Sequence, residues 1–480
     1  MFEHIVTFQA RYRPDATAIA APGGSISFAQ LDADVNRMAG RLSGIARPGA
    51  RVAVQMAGAG LHLVVLLALA RLGCVSASLP AIGERAEADL VALLRPDLLL
   101  TDRAADATGT FGLTQKWLEE TLRSSPEPVE PHAFAADDAV RIVVSSGTTG
   151  APKKMLLTRR MIDARIHTGG LSQLAHRRLH AAVGLDTETG FRAPLVAWAT
   201  GFPILYPPAS FQWAEFLRAS QPEALVLVPA QLAGLLASLP ADFPPQPDLR
   251  LVLVSGSLPP ALYKLACARL TSSIFVTYGS TEAGLAAQAS PSLLGSGETL
   301  TGVVSPSAKV EIVDDDGCAV PWGAQGKVRV HTQEMVAGYL DDDALTARFF
   351  KDGWFYPGDL GALTATGRLT VHGREAEILD LGGLRLSPDA VEAALLDCPG
   401  VEDAGAFHVP SDEGINRVGV AVVCTEHFDR QAVETMLKRA FPQVHLRISV
   451  VDRIPRSERG KIDRRALQAG HAVLSQPSLQ

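Results

Sequence analysis

Ser145-Ser146-Gly147-Thr148-Thr149-Gly150-Ala151-Pro152-Lys153 follows directly on the apolar, β-rich run at 140–144. A loop of small, hydroxylated and glycine residues can turn several backbone N–H groups and hydroxyls toward phosphate oxygens, while a lysine neutralises their charge. The stretch is therefore expected to hold a polyphosphate through Ser145, Ser146, Gly147, Thr148, Thr149, Gly150 and Lys153. Its spacing is not the Gly-x-x-x-x-Gly-Lys-Ser/Thr of P-loop enzymes, which weakens a generic kinase or GTPase reading. The bland alternative is a polar surface turn with a chance lysine.

Outward from this loop, short apolar runs recur at 224–228, 249–254 and 274–277, with helix-like segments at 230–239 and 260–270 between them. Such runs mark strands buried on both faces of an α/β sheet. Beyond residue 373 the texture changes to helix (389–396), strands (404–408 and 418–424), helix (430–441) and strand (446–451), the pattern of a small α+β domain. The expectation is a large α/β N-terminal domain at 1–373 with buried sheets, and a small α+β C-terminal domain at 374–480. A hinge lies at His372-Gly373-Arg374-Glu375-Ala376-Glu377. At 480 residues the chain is long enough for two cores.

Composition narrows the partners. With 47% hydrophobic and 20% charged residues the chain is globular, and a net charge of −7 without a dense basic block argues against nucleic acid. The richest apolar stretch, 61–70, contains His62 and stops at Arg71, too short for a bilayer and suited to a buried helix. The N-terminus shows no basic head followed by an apolar segment, so no signal peptide is expected. Five scattered cysteines without Cys-x-x-Cys spacing fit a reduced, cytoplasmic protein free of structural zinc. Oligomeric state stays open between monomer and homodimer.

Three further segments follow strands: Ser255-Gly256-Ser257, Thr277-Tyr278-Gly279-Ser280-Thr281-Glu282 and Gly353-Trp354-Phe355-Tyr356-Pro357-Gly358-Asp359. Together with the first loop and their order along the chain, they resemble the adenylate-forming enzymes. That family includes acyl-CoA synthetases, luciferase and the adenylation domains of nonribosomal peptide synthetases, and the likeness covers nearly the whole chain. The resemblance implies that Tyr278 packs on adenine, Thr281 touches the α-phosphate and Glu282, with Thr149, holds magnesium. These are an aromatic face for a base, a hydroxyl for phosphate and hard oxygens for a hard cation. It places Ser255, Gly256 and Ser257 beside adenine, with Gly279 also at the nucleotide, and Asp359 on both ribose hydroxyls, since a carboxylate accepts several donors. Arg374, in the Gly373-Arg374 pair, is expected at ribose and phosphate. The loop Gly382-Gly383-Leu384 is expected to admit a pantetheine thiol, and Lys461, in Pro455-Arg456-Ser457-Glu458-Arg459-Gly460-Lys461, to complete the adenylation site.

The activity implied is attack of a carboxylate on the α-phosphorus of ATP, with magnesium, followed by transfer of the acyl group to coenzyme A or to the phosphopantetheine of an acyl or peptidyl carrier protein. Lys461, Glu282, Thr281 and Arg374 are the expected catalytic residues. For the acid pocket the candidates are Asp186, Thr187, Gly279 and Gly284. Thr187 stands where many acyl and aryl ligases carry an aromatic or histidine, and Asp186 lies near the place where amino-acid-activating relatives bind an ammonium. A non-amino acyl or aryl acid is favoured, with an amino acid as the alternative and a non-catalytic nucleotide-binding homologue as the rival class. Two positions depart from the family pattern: Ala376, where the hinge usually has Asp or Lys, and Lys154, where glycine is common.

Overall fold

The computed structural model describes residues 2–21, 24–81, 83–103, 109–126, 128–146, 152–170, 174, 177–208, 210–256, 258–294, 301–377, 379–380, 385–409, 417–441, 446–456 and 462–474. Gly147, Thr148, Thr149, Gly150, Ser257, Gly382, Gly383, Leu384 and Lys461 lie outside the described residues, as does the side chain of Ser146.

Among the described residues two large sheets carry the first three quarters of the chain. One has six strands, in the order Thr110–Gly112, Leu98–Thr101, Arg51–Gln55, Val75–Ser78, Ala139–Ser146 and Pro152–Thr158, the first five parallel. The other holds a parallel core of Leu179–Ala181, Ala224–Leu227, Arg250–Leu253 and Ile274–Ser280. Valine and leucine fill both faces of Ala224–Leu227 and Arg250–Leu253, so these two strands are buried throughout or nearly so. At Ile274–Ser280 the sheet turns antiparallel, pairing with Gly284–Ala289 and continuing to Asp359–Leu363 and Arg368–Arg374. A small three-stranded sheet, Val401–Val409, Arg417–Cys424 and Leu446–Val450, is packed by Pro388–Leu396 and Arg430–Ala440 around its own core of Val391, Leu395, Val420 and Leu437. The α/β domain followed by a smaller α+β unit is thus present.

The apolar stretch expected as a buried helix is Ala59–Arg71, and every residue from His62 to Arg71 is buried. Leucine and alanine favour the helix, and an apolar surface all round demands a buried site. His62 is accommodated by pairing its Nε2 with Ser78 Oγ at 3.0 Å. Ser78 also accepts from Arg141 Nη2 at 3.0 Å, and the same nitrogen donates to the Leu185 carbonyl. Burial, and then the neighbouring Arg141 charge, lower the His62 pKa to about 3. Burial likewise takes His180 to about 4.

Both folded values lie below the unfolded one, so the stability these neutral imidazoles confer is present above about pH 6.5 and is lost as pH falls. Linkage puts the loss between pH 7 and pH 5 at about 2 kcal/mol for each histidine. Urea midpoints should fall accordingly, and His62→Asn should remove about half of that pH dependence. An unchanged dependence would show that His62 is protonated equally in both states.

One boundary differs from expectation. The strand expected at 140–144 runs through Ser146 and folds back as Pro152–Thr158, with Ser145 opposite Lys153 and Ser146 opposite Pro152. Ser145 and Ser146 therefore belong to the β-ladder itself. The other edges shift by one to three residues, as strand and helix ends commonly do.

Candidate functional site

Four connections leave the carboxyl ends of the parallel strands: those after Ala181, Leu227, Leu253 and the Tyr278–Glu282 turn. Ligand crevices of open α/β sheets form at such ends. After Leu253 the backbone turns sharply, with Ser255 in the left-handed region at φ 61°, and both Ser255 and Gly256 are exposed. Non-glycine residues held in that region concentrate at functional sites.

Tyr278, Asp359 and Arg374 form one hydrogen-bonded group. The Tyr278 hydroxyl donates to Asp359 Oδ2 at 2.5 Å, and Arg374 Nε stands 3.0 Å from Asp359 Oδ1. Backbone register sets this up: Asp359 and Arg374 are direct partners across adjacent antiparallel strands. Arg374 Nη1 also donates to the Pro357 carbonyl at 2.6 Å. Burial, and then the Asp359 carboxylate, push the Tyr278 phenol well above its ordinary range. The tyrosine therefore stays protonated and donating, and its hydroxyl fixes the ring at the crevice. A carboxylate offers about four acceptor positions, so Asp359 keeps capacity for further donors after serving both neighbours.

A second group joins the loop strand to the metal candidate. Tyr339 donates its hydroxyl to Glu282 Oε1 at 2.9 Å, and Lys153 Nζ reaches the same hydroxyl at 3.4 Å. Lys153 lies between aromatic faces, 4.0 Å from the Phe349 centroid and 4.9 Å from that of Tyr339. Burial lowers its pKa, Glu282 opposes this, and Arg374 and Arg348 add to the lowering. An anion arriving beside Lys153 would reverse that penalty, which is what a phosphate subsite requires. Glu282 presents a buried carboxylate with only Oε1 engaged among the described residues. Its free oxygen fits a hard divalent ion that takes its remaining ligands from phosphate and water. No group of three His, Cys, Asp or Glu suited to a metal occurs among the described residues.

Tyr339 was not singled out from sequence, where it belongs to none of the quoted motifs. Its position is fixed by Lys154, one of the two departures from the family pattern. Lys154 Nζ donates to Asp341 Oδ2 at 2.8 Å and to the Leu93 carbonyl at 3.0 Å, and the Leu340 N–H donates to the Lys154 carbonyl at 2.8 Å. Asp341, with φ 59°, is thereby held just beyond Tyr339. The other departure, Ala376, sits between two anchored glutamates in the turn Glu375–Glu377. Glu375 pairs with Lys327 of the large sheet and Glu377 with Arg464 of the small unit, each at 3.0 Å. The charge usual at the hinge position is thus displaced by one residue to either side.

Among the acid-pocket candidates, Thr187 is the N-cap of helix Glu188–Ala199. Its hydroxyl accepts from Gly190 N at 2.9 Å and donates to the Gly184 carbonyl at 2.8 Å. That hydroxyl is consumed in starting the helix. Asp186 lies in the field of the buried Arg141. Gly284 faces Glu334: a Cβ there would stand 2.7 Å from Glu334 Oε2. A carboxyl group thus stands directly beside Gly284. Thr281 is held through its carbonyl, which accepts from Arg165 Nη2 at 2.9 Å. Gly279 is exposed at the turn.

A protonated tyrosine, a carboxylate with spare acceptors, and a desolvated lysine linked to a metal-ready glutamate define an enzyme of the nucleotide-using α/β class. Residues 6–340 match the family model described as AMP-binding enzyme, and the chain belongs to that family. It is 27% identical to the medium-chain fatty-acid–CoA ligase of Escherichia coli (strain K12), over 95% of this chain and 88% of that one. It is 28% identical to CymA of Salinispora arenicola, a probable non-canonical nonribosomal peptide synthetase, over 96% of this chain, which spans 6% of that much longer protein. Among solved structures, ATP-bound MatB from Rhodopseudomonas palustris superposes with a TM-score of 0.87 at 22% identity, over 99% of this chain and all of that one. The adenylate-forming fold expected from the motifs is thereby established. No described helix is long and apolar enough to cross a membrane.

Proposed function

We propose that this chain is an ATP-dependent carboxylic acid:thiol ligase. It joins an acyl or aryl carboxylate to AMP with release of pyrophosphate, then passes the acyl group to the thiol of coenzyme A or of a carrier-protein phosphopantetheine. The observation that carries this reading is the convergence of the Tyr278–Asp359–Arg374 and Lys153–Tyr339–Glu282 groups at one edge of the parallel strands. The name of the Escherichia coli relative, a fatty-acid–CoA ligase, supports the choice of acid and thiol.

The nucleophile needs no base, because a carboxylate is ionised at neutral pH. The barrier is mutual repulsion of anions, so positioning and fixed positive charge supply the catalysis. Asp359 would accept the ribose hydroxyls while Tyr278 lies along the adenine. Lys153, with Ser145, Ser146, Thr148 and Thr149, would hold the β and γ phosphates. Thr281 and Lys461 would face the α-phosphorus, and Glu282 with Thr149 would hold magnesium, which when bound supplies further neutralisation of phosphate charge. Rotation of residues 374–480 about the Glu375–Glu377 turn would then exchange Lys461 for the Gly382-Gly383-Leu384 loop at the thiol entrance. The setting proposed is the cytoplasm.

Acid-dependent exchange of labelled pyrophosphate into ATP tests the first half-reaction across fatty, aryl and amino acids. Thioester formation with free coenzyme A against a holo carrier protein then separates the acceptors. Absence of exchange with every acid would overturn the proposal.

A further inference from the structure

Beside the acid-pocket candidates Thr187 and Gly284 stands a cluster with more charge than a plain alkyl or aryl tail can use. Helix Glu188–Ala199 presents Glu188 and Arg192 one turn apart, and Arg192 Nε donates to Glu188 Oε1 at 2.9 Å. Opposite them is Arg165, at the end of helix Arg159–Arg165 and 2% exposed. Its Nη2 serves two carbonyls, those of Thr281 at 2.9 Å and Glu334 at 2.8 Å. Its Nε and Nη1 are buried without a hydrogen-bond partner, and Nη1 stands 3.9 Å from Glu188 Oε1. Glu334 completes the cluster, accepting from the Thr168 hydroxyl and lying against Gly284.

Two guanidinium groups thus share one carboxylate. Burial works against ionising Glu188, yet Arg192 and then Arg165 outweigh it and its pKa is lowered, so it is charged. Glu334 is shifted the other way by burial, toward its neutral form. Among the described residues Arg192 is bonded only through Nε, and its side chain is 16% exposed. A largely buried guanidinium whose terminal nitrogens make no hydrogen bond among the described residues, beside a second with unmet buried donors, has the capacity to take one anion.

Resting on the ligase reading above, we propose that the acid carries a second carboxylate remote from the reacting one, and that Arg192 binds it. Arg192 presents its two terminal nitrogens as a fork, the geometry that recognises a carboxylate by two parallel hydrogen bonds. Once the incoming anion takes Arg192, Glu188 is free to close the gap of about 1 Å that separates it from bonding distance to Arg165 Nη1. Arg165 grips the Thr281 carbonyl, next to Glu282, so filling the tail site tightens the turn that faces the phosphates. Arg192 is a specificity residue in this scheme and Arg165 a positioning residue.

The test is pyrophosphate exchange with acids paired to differ by one carboxylate: butanoate with succinate, hexanoate with adipate, benzoate with isophthalate. In at least one pair the dianionic member should have the higher kcat/KM by about 100-fold or more, because a site built to hydrogen-bond a polar group leaves its donors unpaired when that group is missing, at a cost of up to about 10⁴- to 10⁵-fold. Arg192→Leu should bring that ratio near one, and Arg192→Lys should restore part of it. A purely structural Arg192 would lower both members of a pair together and leave the ratio standing, which would overturn the inference. So would a wild-type preference for the monoanion in every pair that exchanges. Exchange with no acid at all would instead remove the ligase reading itself, an outcome distinct from either.

Discussion

Lys461→Ala is expected to lower acid-dependent pyrophosphate exchange by about a thousandfold, roughly 4 kcal/mol of barrier, comparable to the loss of a strong oxyanion donor. The magnitude follows from how the other cations are committed. Arg374 is held by Asp359 and the Pro357 carbonyl, and Lys153 is turned toward Tyr339 and Glu282 between two aromatic rings. Neither is free to follow charge as it builds on the α-phosphorus. In the proposed scheme that task falls to Lys461, brought in by the C-terminal unit. The same substitution should leave thioester formation from a supplied acyl-adenylate within about twofold, because the proposed second half-reaction proceeds with the lysine withdrawn. Single-turnover measurement of each half-reaction decides the matter: equal losses in both would rule out a lysine that serves only the first.

Motifs were readable where chemistry is local. The central strands could be recognised because both faces are buried and valine and leucine run without alternation, and Tyr278 and Glu282 stand at the end of Ile274–Ser280, the strand next to them. What could not be read is the pairing among them. Tyr278 reaches Asp359 across 81 positions, and Tyr339 reaches Glu282 across 57, in each case between segments far apart in the chain. Arg165 is a sharper case. At the end of an amphipathic helix an arginine is ordinarily a solvated charge that favours the helix dipole. Here it is buried because its partners, Thr281, Glu334 and Glu188, come from three other parts of the chain. Lys154 shows the same limit: its role depends on Asp341, 187 positions away. Thr187 also has a role that the resemblance did not reveal. Its function is local, a helix cap followed by Gly190 at the right spacing, and the comparison with pocket positions of relatives obscured it.

Asp359→Ala is expected to have the other large effect, on stability and nucleotide affinity together. Asp359 is buried, and its two oxygens satisfy the Tyr278 hydroxyl and the Arg374 guanidinium. Truncation strands both donors. Breaking a fully buried pair costs roughly 3 to 5 kcal/mol, but Arg374 is 34% exposed and water can replace part of what it loses. About 2 to 3 kcal/mol is therefore expected from urea unfolding, against about 1 kcal/mol for Tyr278→Phe, which removes one donor and leaves the carboxylate paired. The ATP concentration for half-maximal exchange should rise about a hundredfold in Asp359→Ala, equivalent to about 2.7 kcal/mol. Asp359→Asn separates the two losses. Its single oxygen can still accept from Tyr278, so folding should return most of the way, but it has too few acceptor positions left for two ribose hydroxyls and its amide nitrogen faces Arg374. Stability near wild type with ATP affinity still reduced at least tenfold is the expected signature of Asp359→Asn. If affinity recovered along with stability, Asp359 would be a structural tie between strands and the ribose would have to be held elsewhere.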